Sequence, residues 1–372
     1  MGSVEGGRRT AGPALRIFLW SRAAIWALAA GVVLVFERHL NPERGEWETG
    51  RFHDAGVVVD VLARWDSGWL LQVAEQGYSW PSATPAFLPL YPLLTGALGR
   101  ALLGHYVVAG IIVSLAAGAV ACVLLYRLAL PRLGDAGARR TVLFLAVSPM
   151  SLFLGVVYTE ALFLALAVGC FLLAERGRLG WAALVAGLAM LTRAQGLALL
   201  PALALFAWQS PDRVRSLASM AVAPALFLAY PLTLWLWIGR PLAFLDAEAQ
   251  WERHISPAGP AGGMARAVID VDLVELAFAA VMGLLAIVAW RRFGSAYGAY
   301  ACGVLALAMS VPSDRLGGLY SLPRLSLVAF PCFMAAAAIA GGRPRAGQVV
   351  VLVSGALLAL FVVRWALWYW VS

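Results

Sequence analysis

Long apolar runs recur from one end of this chain to the other, and they constrain its fold more than any other feature. Several of them reach about 18 residues or more, the length with which an α-helix can cross a hydrocarbon core of about 30 Å. Hydrophobic residue types make up 62% of the 372 residues and charged types only 13%, whereas about a quarter of a soluble domain is charged. The sequence therefore predicts an all-α polytopic membrane protein, with residues 1–372 as a single integral membrane domain.

Eleven membrane spans are predicted from these runs. The first is expected to be a retained helix, because it is longer than the apolar core of a signal peptide. The fourth to sixth spans are short and would need deep or tilted packing. The predicted spans are residues 15–36, 106–129, 141–156, 159–174, 180–192, 195–208, 217–238, 271–290, 295–311, 324–341 and 348–370.

The arginines predict the orientation of these spans. All 28 basic residues are arginine, a bias that favours a bacterium with a GC-rich genome and hence a bacterial plasma membrane. Eleven crossings put the arginine-rich connections on one side, which the positive-inside tendency assigns to the cytoplasm together with the N-terminus. The net charge of +8 therefore needs no nucleic-acid partner. These arginines are Arg8, Arg9, Arg16, Arg127, Arg132, Arg139, Arg140, Arg176, Arg178, Arg213, Arg215, Arg291, Arg292, Arg343 and Arg345.

The opposite side carries most of the acids and the two longest polar segments, residues 37–105 and 239–270. Both segments are predicted to be extracytoplasmic loops, and the active face is expected on the same side. The tryptophans and the tyrosine near residue 370 are predicted to anchor the last span at the outer interface. The acids on this side are Glu43, Glu46, Glu48, Asp54, Asp60, Asp66, Glu75, Glu160, Asp246, Glu248, Glu252, Asp270 and Asp314.

The first outer loop contains Asp66 between two tryptophans. A carboxylate is costly in or beside lipid, so this position makes Asp66 a candidate for a functional site. Apolar residues three and four apart in residues 61–76 predict an amphipathic helix in the interface, with Asp66 and Ser67 toward its polar side. Helix capping or an ion pair with Arg64 would be a structural explanation for the same acid.

The rest of the loop and the first span each contain one unusual segment. Residues 86–103 are apolar but are interrupted by Pro89 and Pro92, which predicts a re-entrant or half-buried helix. Arg22 lies inside the first span, close enough to its cytoplasmic end to extend its charge to the membrane surface, and a structural role is expected for it.

Motifs spread over most of the chain resemble the PIG-V-type mannosyltransferases, the second mannosyltransferases of GPI-anchor assembly, and their bacterial relatives. One departure is that Ser79, Trp80 and Pro81 stand where the eukaryotic enzymes tend to carry an acid. The motifs are Trp65-Asp66-Ser67, Gly77-Tyr78, Ala86-Phe87-Leu88-Pro89-Leu90-Tyr91-Pro92, Ser148-Pro149, Tyr158-Thr159-Glu160, Thr192-Arg193-Ala194-Gln195-Gly196, Pro323-Arg324 and Phe330-Pro331.

The resemblance implies the GT-C class, whose members transfer a sugar from a polyprenyl-phosphate donor on the extracytoplasmic face. In that class an acid of the first outer loop serves as catalytic base, and Asp66 stands at the matching position. Inverting glycosyl transfer independently requires a carboxylate to accept the proton of the attacking hydroxyl and a cation near the departing phosphate. The predicted substrates are a polyprenyl-phosphate hexose, with mannose implied by the resemblance, and a lipid, glycan or protein acceptor.

The other site residues are assigned by their chemistry. Arg193 and Arg324 are predicted to bind the donor phosphate, although a structural ion pair, for Arg193 with Glu160, is an alternative. Glu160 begins a span, where the helix dipole favours an acid without any function. Contacts with the substrate are predicted for Trp65, Ser67, Tyr78, Glu160 and Gln195.

A resident cofactor is not expected. The four histidines show no ligand spacing, although a divalent cation held by Asp and Glu remains an alternative. The sequence thus predicts an inverting membrane hexosyltransferase. A transporter or flippase of lipid-linked sugars is the alternative, but such proteins usually show two related halves, and no internal repeat is visible here.

Overall fold

The chain is described by a computed structural model over residues 2–36 and 44–371, with side chains described for residues 12–36, 44–45 and 47–371. The fold is almost entirely helical, with 76% of the residues in helices. Within the described ranges no β-strand forms beyond isolated bridges at Arg253, Ser313 and Gly317, so the predicted all-α class is confirmed. Glu43 and the side chain of Glu46, both predicted for the outer side, lie outside the described residues.

The described residues form α-helices of very different lengths, joined by short 3-10 helices and tight turns. In chain order the α-helices are α1 (Gly2–Phe36), α2 (Arg44–Trp47), α3 (Val57–Asp60), α4 (Ser67–Gln76), α5 (Leu90–Ala101), α6 (Tyr106–Ala146), α7 (Glu160–Glu175), α8 (Leu179–Met190), α9 (Leu199–Trp208), α10 (Arg213–Ser219), α11 (Val222–Phe227), α12 (Ala229–Ile238), α13 (Ala243–Ala247), α14 (Pro260–Asp270), α15 (Leu273–Phe293), α16 (Ser295–Met309), α17 (Leu322–Leu325), α18 (Phe330–Gly341) and α19 (Pro344–Ala366). The 3-10 helices are Gly50–Phe52, Thr84–Ala86, Ser151–Leu154, Ala194–Ala198, Glu248–Trp251 and Ser326–Val328.

Long apolar helices make this an integral membrane protein. Within the described residues, 5 helical segments are long and apolar enough to cross a membrane, or 6 if a pair bent by 82° forms one span. The predicted number of eleven spans is not confirmed, because several of the apolar helices are shorter than the roughly 20 residues that a crossing needs. The segments are Gly12–Phe36, Tyr106–Ala146, Arg213–Ile238, Leu273–Phe293 and Pro344–Ala366, and the bent pair is Leu322–Val328 with Phe330–Gly341.

The second and third predicted spans fall in α6, whose two helical segments meet at a break at Gly134. Gly134 has a φ of 66° and a ψ of 177°, a conformation that glycine adopts without a steric penalty. The helix ends at Ala146, so the prediction of a helical span over residues 141–156 is wrong beyond that point. Residues 151–160 are buried all the same, which explains why their apolar character resembled that of a membrane span.

The first outer loop is more compact than the sequence predicted. Residues 61–76 do not form one interfacial helix, because the chain turns at residues 61–66 and α4 begins only at Ser67. Ser67 is fully buried, which corrects its predicted place on a polar face. The predicted half-buried helix exists as α5, which is shorter than the predicted residues 86–103, and Pro92 lies in its first turn, where an amide would have no helical partner.

The described residues divide into two compact units. The first unit comprises the described parts of Met1–Gly77, Tyr91–Ala165 and Ala336–Val371, and the second unit comprises Tyr78–Leu90 and Leu166–Ala335. In the first unit, α1 packs against α6 and α19. A Cβ atom at Gly96 would lie 2.4 Å from the carbonyl oxygen of Ala74, so α5 can approach α4 this closely only because residue 96 is glycine.

The core of the second unit is aromatic. The ring of Phe171 lies with its centroid 4.9 to 5.6 Å from those of Tyr297, Tyr300, Phe330 and Phe206. All four contacts are edge-on, the arrangement in which the positive edge of one ring meets the negative face of another. These contacts fix α16 and the start of α18, which flank the segment that carries Arg324.

Arg22 is buried inside the first unit, where its guanidinium binds protein groups. The residue is 6% exposed, and its guanidinium donates hydrogen bonds to the carbonyl oxygens of Ala146, at 3.0 Å, and Ser151, and to Ser151 Oγ at 3.1 Å. Ala146 is the last residue of α6, where carbonyl oxygens lack helical partners, and Ser151 begins the 3-10 helix that follows. Arg22 therefore links α1 to the end of α6, which agrees with the structural role expected for it.

Replacing Arg22 by methionine should lower the stability of the protein. The substitution removes a charged donor from buried carbonyl oxygens, and hydrogen bonds to charged groups contribute about 1.5–3 kcal/mol each. We expect Arg22→Met to lower the melting temperature in detergent by several degrees, measured by thermal unfolding. Arg16→Met, at an exposed position of the same helix, should leave the temperature unchanged, and an equal effect of both variants would contradict the assignment.

Candidate active site

Asp66 lies in a tight turn between α3 and α4. Backbone hydrogen bonds from Ser67 to Arg64 and from Gly68 to Trp65, at 3.1 and 2.9 Å, close the turn. Trp65 has a φ of +53°, a conformation that bulky residues rarely adopt. Strained residues of this kind persist only where the surrounding structure holds them, and they cluster at functional sites.

Ser67 fixes this turn to the segment before α7. Its hydroxyl donates to the carbonyl oxygen of Val157 at 3.0 Å and accepts from the backbone amide of Arg64 at 3.2 Å. The amide of Val157 in turn donates to the carbonyl oxygen of Leu62 at 3.0 Å. Residue 67 therefore holds the turn from both sides, and the fully buried hydroxyl of Ser67 faces protein groups.

Asp66 itself is half-buried and precedes the first residue of α4. Its backbone has φ −56° and ψ −18°, and its side chain makes no capping hydrogen bond to the described helix. A capping residue normally has extended backbone, which turns its side chain back toward the free amides. The geometry thus disfavours capping as the explanation of this acid. The Asp66 amide donates to the Tyr158 hydroxyl at 3.2 Å.

Glu160 begins α7, as predicted, and is fully buried. It follows Tyr158 by two residues, so the hydrogen bond between Tyr158 and Asp66 brings the two predicted acids into the same region of the first unit. Carboxylates are stabilised at a helix N-terminus by the helix dipole, which accounts for part of the stability of a buried acid at this position.

Aromatic rings and a buried arginine surround the turn. Trp65 is 3% exposed, and its ring contacts those of Trp47, Trp368 and Trp370. The Arg64 guanidinium lies 4.4 Å from the centroid of the Trp368 ring, while its Nη1 donates to the carbonyl oxygens of Asp60 and Ala63 at 3.0 and 3.1 Å. Burial lowers the pKa of Arg64 to about 10, so it is still a cation at neutral pH.

Neighbouring charges complete the surroundings of the turn. Arg44 forms an ion pair with Glu48 at 2.7 Å, and the hydrogen bond from Arg44 holds the pKa of Glu48 below its ordinary value. Arg51 forms a second pair with Glu75 at 3.1 Å. Glu75, the acid of α4, is thus engaged at the surface of the loop.

The predicted phosphate-binding arginines both belong to the second unit. Arg193 lies between α8 and the helix Ala194–Ala198, and its Nε donates to Gln195 Oε1 at 3.3 Å. Arg324 lies in α17 and is 8% exposed. Both short helices pack against α16, so Arg193, Gln195 and Arg324 are all carried by segments that flank one helix.

Tyr78 also belongs to the second unit and is largely buried. Its hydroxyl donates to the carbonyl oxygen of Phe87 at 2.8 Å, and its ring contacts those of Tyr230 and Trp237. Burial raises the pKa of Tyr78 well above its ordinary value. In this conformation the side chain stabilises the segment that follows α4.

The sequence did not indicate that the aromatic residues after α19 approach the turn. The sequence predicts them as interface anchors, and nothing local in the sequence pairs residues so far apart. The density of tryptophan in residues 365–370 was the signal that could have suggested a packed cluster. Among the described residues, His, Cys, Asp and Glu form no group of three or more that could hold a metal ion.

The fold and the turn define a helical integral membrane protein with an acid held in a rigid loop between helices. Residues 53–210 match the family model described as Mannosyltransferase (PIG-V). The resemblance found in the sequence motifs is thereby confirmed over this part of the chain, which includes Asp66, Glu160, Arg193 and Gln195, whereas Arg324 lies beyond it.

Comparisons with solved structures and with curated proteins show less similarity than the family model does. The chain has a partial structural likeness to the crystal structure of an Archaeoglobus fulgidus oligosaccharyltransferase in complex with Zn and sulfate, with a TM-score of 0.39 and 13% sequence identity. The alignment covers 76% of this chain but only 45% of the length of that one. No curated protein matches the chain in sequence.

Replacing Ser67 by alanine should loosen the turn. Both the Arg64 amide and the Val157 carbonyl would lose a partner in a buried region, which costs about 1–3 kcal/mol. We expect Ser67→Ala to lower the free energy of unfolding in detergent by that amount. Ser219→Ala removes only a bond within α10 and should change it by less than about 0.5 kcal/mol; similar losses in the two variants would argue against this role of Ser67.

Proposed function

We propose that the protein is a membrane glycosyltransferase of the GT-C class. It transfers a hexose, which the family match suggests is mannose, from a polyprenyl-phosphate donor to a hydroxyl of a lipid, glycan or protein acceptor. The observation that carries this proposal is the match of residues 53–210 to the PIG-V mannosyltransferase model, because the matched part contains the rigid turn that presents Asp66.

In the proposed reaction, Asp66 accepts the proton of the acceptor hydroxyl as its oxygen attacks the anomeric carbon. The bond between that carbon and the phosphate oxygen breaks, and the polyprenyl phosphate leaves with the electron pair. One displacement of this kind inverts the anomeric configuration. A base held in the correct position contributes typically about 10²–10⁴-fold to such a step, and the hydrogen-bonded turn around Asp66 supplies that positioning.

We assign the departing phosphate to Arg193 and Arg324. Arginine matches phosphate oxygens with a rigid fork of donors, and such charge-assisted bonds are about twice as strong as neutral ones. These side chains supply positive charge without a resident metal ion. Glu160 and Gln195 are proposed to contact sugar hydroxyls, whereas Trp65, Ser67 and Tyr78 are proposed to shape the substrate site through the loop that they stabilise.

We propose further that the site faces the extracytoplasmic side of a bacterial plasma membrane, with the N-terminus in the cytoplasm. The support is the segregation of arginines from acids along the sequence. A donor anchored by its polyprenyl chain approaches from the interface, where a carboxylate at the membrane edge can reach its sugar.

Transfer of a labelled sugar tests the function. Membranes that contain the protein should move radiolabelled mannose from polyprenyl-phosphate mannose into an acceptor fraction. Asp66→Asn, at matched expression, should reduce this transfer by about 10²–10⁴-fold, while Glu75→Gln should retain it. Equal transfer in wild type and Asp66→Asn would move the base to Glu160 or Glu75. Movement of intact donor across the membrane without a new glycosidic bond would favour a lipid-linked sugar transporter instead.

The arginine assignments have a separate kinetic signature. Arg193→Gln and Arg324→Gln should each weaken donor binding by about 10- to 150-fold, the equivalent of about 1.5–3 kcal/mol for a hydrogen bond to a charged group. The corresponding lysine variants should recover part of this loss because they keep the charge. Arg315→Gln, at an exposed position, serves as the control. A change in stability at unchanged donor affinity would assign these arginines to structural ion pairs.

A further inference from the structure

The last residues described in the chain fold back onto the turn that carries Asp66. We call Trp365–Val371 the 365–371 segment. It comprises the end of α19 and the residues after it, and Trp365, Trp368 and Val371 are at most 3% exposed. Tryptophans that anchor a protein in the headgroup region are exposed at the membrane interface. Trp20 and Trp181 have such exposure, at 76% and 63%. The burial of the segment points to a different role.

Trp365 supports the turn from one side. Its indole nitrogen donates to the carbonyl oxygen of Val61 at 2.7 Å. Its ring lies edge-on to those of Phe153 and Tyr158, at 5.7 and 5.6 Å between centroids. The Tyr158 hydroxyl accepts the hydrogen bond of the Asp66 amide. Trp365 therefore contacts both the backbone that leads into the turn, at Val61, and the Tyr158 side chain that binds the Asp66 amide.

Trp368 and Trp370 support the turn from the other side. The face of Trp368 receives the buried Arg64 guanidinium at 4.4 Å, a cation–π contact that partly replaces the water lost by this charge. The rings of Trp368 and Trp370 lie 6.1 and 5.2 Å from that of Trp65. In the described structure Trp65 Nε1 has no hydrogen-bond partner, so ring packing is what holds the side chain of the strained residue before Asp66.

The segment is itself held in a fixed shape. The Tyr369 amide donates to the Arg364 carbonyl oxygen at 2.8 Å, and the Arg364 guanidinium donates to the Trp370 carbonyl oxygen at 3.2 Å. Trp368 has a φ of +66°, so a second bulky residue in a strained conformation faces the one at Trp65. Two mutually packed strained residues indicate an arrangement that the surrounding structure determines fully.

We infer that the 365–371 segment is a positioning element of the active site, in which Trp365 and Trp368 hold Asp66 in its reactive position. This inference rests on the proposed role of Asp66 as the base. It adds residues that lie outside the matched region, 53–210, and whose proposed role is to act through Asp66. Because a displacement of about 1 Å can cost about 10²-fold in rate, loss of this support should lower kcat while donor binding persists.

The experiment compares two tryptophans with the same hydrogen bond. Trp365→Phe keeps an aromatic ring but removes the donor to Val61. Trp26→Phe is the matched control, because Trp26 Nε1 donates to the carbonyl oxygen of Val58 at the same 2.7 Å and its side chain is 44% exposed. With the full chain in membranes, Trp365→Phe should lower kcat about 10- to 100-fold and leave the donor KM within about twofold. Trp26→Phe should change neither.

Trp368 allows a test by rescue. Trp368→Leu removes the aromatic face from Arg64 and should lower kcat strongly, whereas Trp368→Phe keeps a weaker face and should recover part of the rate. Hydrogen exchange of the amides of residues 61–70, followed by mass spectrometry, should be faster in Trp365→Phe and Trp368→Leu than in wild type. It should be unchanged in Trp26→Phe.

The outcomes separate this inference from the proposed function. If Asp66→Asn retains transfer, the assignment of the base fails whatever the tryptophan variants do. If Asp66→Asn is inactive while kcat and exchange are unchanged in Trp365→Phe, the positioning role is overturned. Equal losses in Trp365→Phe and Trp26→Phe, together with a lower folded fraction, would also overturn it. If wild type shows no transfer, exchange in residues 61–70 decides whether the segment holds the turn.

Discussion

Two hydrogen bonds to Val157 hold the loop on which the candidate active site depends. The Val157 amide binds the carbonyl oxygen of Leu62, and its own carbonyl accepts from Ser67 Oγ, both at 3.0 Å. They fix the chain before and after Asp66 to a buried segment between α6 and α7. An irregular loop beside a membrane must satisfy its polar backbone groups within the protein. Here the same bonds that meet this requirement also determine the direction of the turn.

The protein keeps two arginines inside the first unit by different means. Arg22 donates to the carbonyl oxygen of Ala146 at the end of α6 and to that of Ser151 in the 3-10 helix after it. Arg64 donates hydrogen bonds to carbonyl oxygens of its own loop and forms a cation–π contact with the face of Trp368. The first arrangement joins two helices, while the second joins the turn to a segment about 300 residues later. Each burial of charge therefore also creates a connection between distant parts of the chain.

The sequence predicted those features that have a local cause. The start of α7 at Glu160 follows from local composition, and α5, Leu90–Ala101, lies inside the apolar stretch 86–103 that predicts a half-buried helix. The predicted eleven spans are not confirmed, because several short helices and the segment at residues 147–156 are apolar but are too short to count as candidate crossings. The motif residues near Asp66 were identified by resemblance, but the contact between Arg64 and Trp368 leaves no pattern in the sequence. No periodic pattern of residues around Arg64 or around Trp368 indicates that the two are in contact.

The conformation of Asp66 explains why a rigid turn suits an acid better here than a helix cap would. A capping carboxylate directs its oxygens at the first amides of the helix, so it has less capacity to accept a proton from a substrate. The helical backbone of Asp66 directs the side chain away from that arrangement. The positive φ of Trp65 then determines where the chain enters this conformation, and the rings around Trp65 maintain it. The strained backbone of Trp65 and the absence of a capping bond from Asp66 thus belong to one arrangement. In it, α4 follows Asp66 directly but does not use its side chain as a cap.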